Sequence, residues 1–258
     1  MFQSITPTVR NLLIINVVLT IVQSLFHIDL ISLGGLRYMH AATFNPFQFF
    51  TYMFIHAGFW HLFGNMLALF IFGPMLEQVW GSRRFLAFYL ICGVGAGVIW
   101  FGVNFMETYP VEKAANEYAI QPNPEAFNSF VVNHYHLTDN LEQFIDEYAK
   151  DPDNDSYKVE SVNFVQEMYQ RLANTPMVGA SGAIFGILLA FGMLFPNTVL
   201  MLLFPPIPIK AKYFVLFYGL FELYSTIQQA PGDNVAHFAH LGGMLFAFLL
   251  LKKWGMGY

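Results

Sequence analysis

Apolar residues along this chain gather into six runs, most of them close to the roughly 20 residues that an α-helix needs to cross the hydrocarbon core of a bilayer. They cover residues 12–26 (or on to 33), 60–80, 85–105, 178–195, 213–229 and 235–254. One long stretch, 107–175, breaks the pattern. Within it Leu141, Phe144, Ile145 and Tyr148 recur at helical spacing behind Thr138 to Asn140, which are candidate N-cap residues. Val162, Val165, Met168, Tyr169 and Leu172 repeat that spacing, and Asp151 to Ser156 reads as the turn between two amphipathic helices. The pattern predicts an all-α membrane protein built as a six-transmembrane-helix bundle. Spans 1–3 fall in residues 1–106 and spans 4–6 in 176–258, with a small helical extramembrane insert, 107–175, between the third and fourth.

Composition sharpens this picture. Hydrophobic residues make up 56% of the 258 and charged residues 11%, against about 25% charged in an ordinary soluble domain. A soluble fold of this size has no place to hide so much apolar surface, so lipid must cover part of it. The net charge of −5 conceals an asymmetry. The insert holds thirteen of the seventeen acids but four of the twelve basic residues, a local balance of −9, which leaves +4 on the rest. If six spans alternate, Arg10, Arg83, Arg84, Lys210, Lys212, Lys252 and Lys253 all fall on one side, with Arg37 and the insert on the other. The positive-inside bias then puts both termini in the cytoplasm and the insert outside. The first run follows Arg10 without a small-residue cleavage site and reads as a retained span. Cys92 stands alone in an apolar run, where it acts as a small hydrophobe. Nothing in the charge pattern supports nucleic-acid binding.

Polar residues inside such a body are costly and therefore informative. Three clusters stand out. Gly179-Ala180-Ser181-Gly182 opens the fourth span, where a serine between small residues lets a substrate backbone approach and the Ser181 N–H can face a developing oxyanion. Ala239-His240-Leu241-Gly242-Gly243 lies in the sixth. Gly182, Gly186 and Ala190 on one helix, with Gly243 and Ala247 on the other, form small-residue ridges that permit close backbone packing. Such packing would bring Ser181 Oγ to a ring nitrogen of His240, and both residues lie a few residues in from the same outer face. The third cluster enters the second span. His61 and Asn65 are i and i+4 and share a helix face, where with the Ser181 N–H they could form an oxyanion hole. His56, five residues earlier, would point about 140° away on the same helix and shape the mouth or hold water.

The His56-x4-His61-x3-Asn65 spacing, the GASG around Ser181 and the AHLGG around His240, in this order, resemble the rhomboid intramembrane serine proteases over nearly the whole six-span body. The resemblance implies Ser181 as nucleophile and His240 as general base. His61, Asn65 and the Ser181 amide would stabilise the oxyanion, with Gly179 and Ala180 at the substrate. It implies a Ser–His dyad without a carboxylate, no cofactor and no metal. The substrates implied are transmembrane segments of other proteins, and the surroundings a lipid bilayer, read here as a bacterial inner membrane.

Some residues depart from the family pattern. Phe47-Gln48 stands where many rhomboids carry Trp-Arg. Phe185, four residues after the serine, replaces a frequent tyrosine and keeps the ring that stacks on the catalytic histidine. His237, one turn before His240, is assigned to the site rim because the small residues Gly243 and Ala247 keep step with His240. Glu77 is expected to be a structural anchor near Arg83 and Arg84, and Glu222 is an unexpected carboxylate in the fifth span. Asp233 and Asn234 are expected to cap the sixth helix, and Pro231-Gly232 to hinge a gate over 228–234 with the fifth span.

Other readings compete with this one. An inactive rhomboid-like protein that binds transmembrane clients would keep the fold. A b-type haem protein would need a second histidine pair near the inner side. A zinc site from His56, His61, His237 and His240 lacks the HExxH signature. A transporter would show an inverted repeat.

Overall fold

The computed structural model of the chain describes residues 5–135, 137–201, 205–228 and 236–255. They divide into two compact units, one of Met1–Leu36, Asn45–Gly102 and Pro176–Tyr258, the other of Arg37–Phe44 and Val103–Thr175.

In the larger unit α1 (Pro7–Phe26) is followed by the short α2 (Leu30–Gly34), by α3 (Gln48–Thr51), which runs into a 3-10 turn (Tyr52–Phe54), and by α4 (Phe59–Trp80). The next helix, α5 (Ser82–Ile120), is 39 residues long, and its apolar part belongs to this unit. Three of these helices, Pro7–Phe26, Phe59–Trp80 and Ser82–Ile120, are long and apolar enough to cross a membrane. Much of their surface is apolar and uncovered by protein. On α1, Ile14, Val18, Ile21 and Leu25 are exposed, which is costly in water and neutral against lipid tails, themselves as apolar as leucine.

Glu77 ties two of these helices together. Its carboxylate accepts hydrogen bonds from the Thr8 and Val9 amides at 2.9 and 3.0 Å, from Thr6 Oγ1 at 2.5 Å and from Ser82 Oγ at 2.6 Å. A helix N-terminus leaves its first amides without intrahelical acceptors, and a carboxylate there satisfies them and matches the helix dipole. Glu77 is thus an anchor, with these amides and hydroxyls of α1 and Ser82 as the partners found for it.

The smaller unit adds α6 (Pro124–His134), α7 (Asp139–Lys150) and α8 (Asp155–Asn174) to the end of α5. The amphipathic spacing of the sequence accounts for α7 and α8, which bury Leu141 and Tyr148, and Val165 and Tyr169, in one core with Tyr118 and Phe127. Thr138 sits at the N-cap of α7 without a side-chain capping bond, whereas Asn123 caps α6 through the Ala126 amide at 2.8 Å. Arg37–Phe44, far away in sequence, joins this unit. Tyr38 donates to Glu112 at 2.5 Å, His40 Nδ1 lies 2.8 Å from the same carboxylate, and the Tyr169 hydroxyl reaches it at 3.2 Å. Burial pushes the Glu112 carboxyl up. The hydrogen bonds from Tyr38 and His40, the His40 charge and the Tyr169 hydroxyl outweigh that and hold it below the usual carboxylate range.

The chain returns to the larger unit through Met177, which pairs with Leu36 in an antiparallel bridge, and enters α9 (Ser181–Leu194). A two-stranded hairpin, β1 (Val199–Met201) and β2 (Pro208–Lys210), precedes α10 (Ala211–Gln228) and α11 (His237–Lys253). The hairpin is a small departure from an all-α fold. So is the length of α9, which the apolar run predicts over 178–195. The helix has 14 residues, about 21 Å at 1.5 Å per residue, shorter than the hydrocarbon core of about 30 Å. The reason lies in its surroundings. α9 packs against α4, α10 and α11, and residues on all its faces, among them Gly182, Ile184, Phe185, Ile187 and Phe191, are buried. A helix apolar all round is a core helix, and its apolar run reflects burial in protein. The expected caps Asp233 and Asn234, and the Pro231-Gly232 hinge, lie outside the described residues.

Candidate active site

Glycine governs how α9 meets its neighbours. A Cβ on Gly243 of α11 would lie 2.7 Å from the carbonyl carbon of Gly182, and on Gly186 it would lie 3.2 Å from the Gly243 carbonyl oxygen. The two backbones therefore touch without side chains between them. The third partner at this crossing is α5. A Cβ on Gly186 would lie 2.8 Å from Cys92, one on Gly242 would lie 2.9 Å from Ile99, and one on Gly182 would meet Ala96. Cys92 is fully buried and free, a small packing residue at this junction.

This packing brings Ser181, the first residue of α9, against the first turn of α11. His240 Nε2 lies 2.8 Å from Ser181 Oγ, a hydrogen-bond distance. The Phe185 ring stacks on the His240 imidazole with centroids 4.1 Å apart and planes 10° from parallel, and Tyr218 of α10 stacks on the far side of Phe185 at 5.2 Å. Because Ser181 is the first helical residue, its N–H has no intrahelical acceptor and stays available to an incoming oxygen.

The approach to Ser181 is set by backbone. Gly179 takes φ +117°, a region that side chains disfavour, and its amide donates to the Tyr52 carbonyl at 2.9 Å. A Cβ there would also lie 2.5 Å from Nε2 of His61, so the glycine lets the 179–181 segment run beside that ring. Ala180 is fully buried at the N-cap of α9. His61 occupies the first turn of α4, and Asn65, one turn on, donates from Nδ2 to the His61 carbonyl at 2.9 Å.

His56 is placed differently from the sequence expectation. It precedes α4, which starts at Phe59, so helical geometry does not apply to it. The residue is 1% exposed, its ring lies edge-on to the His61 ring at 5.1 Å, and among the described residues neither ring nitrogen has a hydrogen-bond partner. In the preceding segment Phe47 is exposed and Gln48 is buried.

The largest difference from the sequence expectation concerns the carboxylate. Glu222 of α10 points inward, its side chain 4% exposed. One oxygen, Oε2, lies 2.8 Å from His240 Nδ1 and 2.6 Å from His237 Nδ1. The Ser–His pair is therefore accompanied by a carboxylate, contributed by neither of the helices that carry the pair. His237, expected at the site rim, has its side chain 10% exposed and bonded to Glu222. The signal in the sequence was a single charged residue within the apolar run 213–228, which names no partner by itself.

Glu222, His237 and His240 also form the group among the described residues whose atoms could ligate a metal, lying within 4.8 Å of one another. His56 and His61 are not part of it. Two ligands on one tetrahedral zinc at about 2.1 Å would sit roughly 3.4 Å apart. Separations of 2.6 and 2.8 Å are those of hydrogen bonds.

A lipid-facing helical body and a half-buried serine bonded to a buried histidine define an integral membrane protein with a polar site inside its helix bundle. The sequence matches the Rhomboid domain over residues 43–111 and 159–254, and the chain belongs to the rhomboid family. The stretch 112–158, which includes α6 and α7, lies outside that match. The chain is also similar to the Bacillus subtilis (strain 168) protein named "Putative rhomboid protease YdcA", 43% identical over 49 residues. That similarity covers 19% of this chain and 23% of the relative, so the chain spans about a quarter of its length.

Proposed function

We propose that the protein is an intramembrane serine endopeptidase that cleaves transmembrane segments of other membrane proteins near the outer face of the bilayer. The observation that carries this reading is the 2.8 Å contact between Ser181 Oγ and His240 Nε2, within reach for general-base activation of a hydroxyl. The apolar helices and the family support the setting. Six spans, both termini in the cytoplasm, the 107–175 insert outside and a bacterial inner membrane complete the reading.

The chemistry follows from the donors and acceptors present. His240 Nε2 takes the Ser181 proton as Oγ bonds to the scissile carbonyl carbon, and the carbonyl electron pair moves to oxygen. The Ser181 amide, with His61 and Asn65 after side-chain adjustment, donates to that oxyanion. The tetrahedral species collapses, the peptide C–N bond breaks, and the amine leaves with the proton from His240. Water then attacks the acyl-enzyme, giving its proton to His240, which returns it to Ser181. A transmembrane helix can present its backbone in this way only where it unwinds inside a protein-lined cavity, since unpaired peptide groups are costly in lipid.

The test is cleavage of a labelled model transmembrane substrate in liposomes by the wild type and by Ser181→Ala. The expected result is cleavage by the wild type and none by the folded variant. Equal cleavage by both would remove Ser181 as nucleophile. A wild type that neither cleaves nor reacts with a fluorophosphonate probe would instead favour a client-binding relative without protease activity.

A further inference from the structure

We infer that Glu222 is a third member of the Ser181–His240 pair, a positioning residue that orients the His240 imidazole and balances its charge during turnover. The inference rests on the protease reading above and adds a component to it.

Three observations carry it. The first is connectivity. Ser181 Oγ, His240 Nε2, His240 Nδ1 and Glu222 Oε2 form an unbroken chain with both links at 2.8 Å. A carboxylate at Nδ1 requires the proton there, which leaves the Nε2 lone pair facing the hydroxyl, the tautomer that a general base needs. The second is burial. The His240 and Glu222 side chains are 9% and 4% exposed, so water screens their interaction weakly and a carboxylate opposite a forming imidazolium counts strongly. The third is cost. A carboxylate in an apolar helix is expensive unless partnered, and the partners found for Glu222 are two imidazoles at the site, His240 and His237. A purely structural bond between α10 and α11 could be made by a neutral amide at lower cost.

His237 fits the same arrangement. Its Nδ1 bonds the Glu222 oxygen that His240 uses, at 2.6 Å, and the two rings are perpendicular. Two donors on one oxygen hold the carboxylate in a single orientation, so His237 fixes Glu222 as Glu222 fixes His240. The three side chains come from α10 and α11, while the nucleophile comes from α9.

The test compares wild type, Glu222→Gln and Glu222→Asp in liposomes, with thermal melting to confirm folding. Glu222→Gln keeps the shape and the capacity to bridge α10 and α11 but removes the charge. The expected outcome is a fall in kcat of roughly 10²–10⁴ with KM little changed, by analogy with loss of the carboxylate from a serine protease triad. Glu222→Asp is expected to retain part of the activity. A folded Glu222→Gln with wild-type kcat would overturn the inference. A second readout is independent of activity. In protein labelled with 15N-histidine, the His240 Nδ1 proton should resonate far downfield, persist in Ser181→Ala and shift or vanish in Glu222→Gln. A resonance unmoved by Glu222→Gln would overturn the inference even if the wild type cleaves its substrate. Should the wild type cleave nothing, the protease reading falls, and the resonance alone decides whether Glu222 holds His240.

Discussion

Replacing Gly243 with alanine tests whether backbone packing between α9 and α11 sets the reactive distance. The new Cβ would lie 2.7 Å from the carbonyl carbon of Gly182, 3.2 Å from its Cα, and against the carbonyl oxygen. The obstacle is backbone of a buried helix and has no rotamer to escape into. Restoring an ordinary carbon–carbon contact of about 3.5 Å requires α11 to retreat by at least about 0.8–1 Å, and the carbonyl oxygen, nearer still, demands more. His240 lies one turn away on the same helix, so its contact with Ser181, now 2.8 Å, would open to roughly 3.7 Å, beyond hydrogen-bond reach. A misplacement of about 1 Å costs on the order of 10²-fold in rate, and overpacking adds a stability loss of about 1–3 kcal/mol. The assay is the rate of fluorophosphonate labelling of Ser181 together with substrate cleavage in liposomes. Gly64→Ala is the control, since a Cβ there meets nothing within 4 Å. It should leave the rate unchanged. Wild-type labelling by a folded Gly243→Ala would refute the argument that this glycine contact fixes the site.

Two further predictions follow from local geometry. Phe185→Leu removes the ring stacked 4.1 Å from His240. An aromatic pair is worth about 0.5–1.5 kcal/mol, so turnover should fall roughly 2- to 10-fold while Phe185→Tyr stays near wild type, as steady-state cleavage rates would reveal. In the smaller unit, the Glu112 carboxyl is held below its ordinary range in the folded state. Its stabilising contribution is therefore complete above the unfolded value of about 4.3. It should be lost as pH falls through the lower folded value. Limited proteolysis of the 103–175 region across acidic pH should show cleavage rising below about pH 4, with a weaker pH response in Glu112→Gln. An identical response in the variant would assign the loss to other groups.

Much of this protein was legible in the chain because the bilayer imposes simple rules. Spans must be long and apolar, so 12–26, 60–80 and 85–105 could be read directly, and α1, α4 and α5 pass through them. Amphipathic spacing likewise marked α7 and α8. Ser181, His61, Asn65 and His240 stood out because polar residues among small ones are rare in such runs. Local sequence could not reveal that α9 is short, since an apolar run looks the same whether lipid or protein covers it. It gave His56 a helical direction, whereas the start of α4 at Phe59 leaves that residue outside the helix. It also missed Arg37–Phe44 joining the smaller unit, a contact between residues some seventy positions apart.

Glu222 marks the boundary between the two sources most clearly. The sequence by itself determined that a carboxylate sits in an apolar helix, where it must find a partner or lose its charge. Which partner it finds depends on the rotation of α10 about its axis and on the packing of α10 against α11, and neither is written in α10 alone. Only the tertiary structure, by letting α9 and α11 touch through Gly182 and Gly243 and turning α10 toward them, set Ser181, His240, Glu222 and His237 in one hydrogen-bonded line.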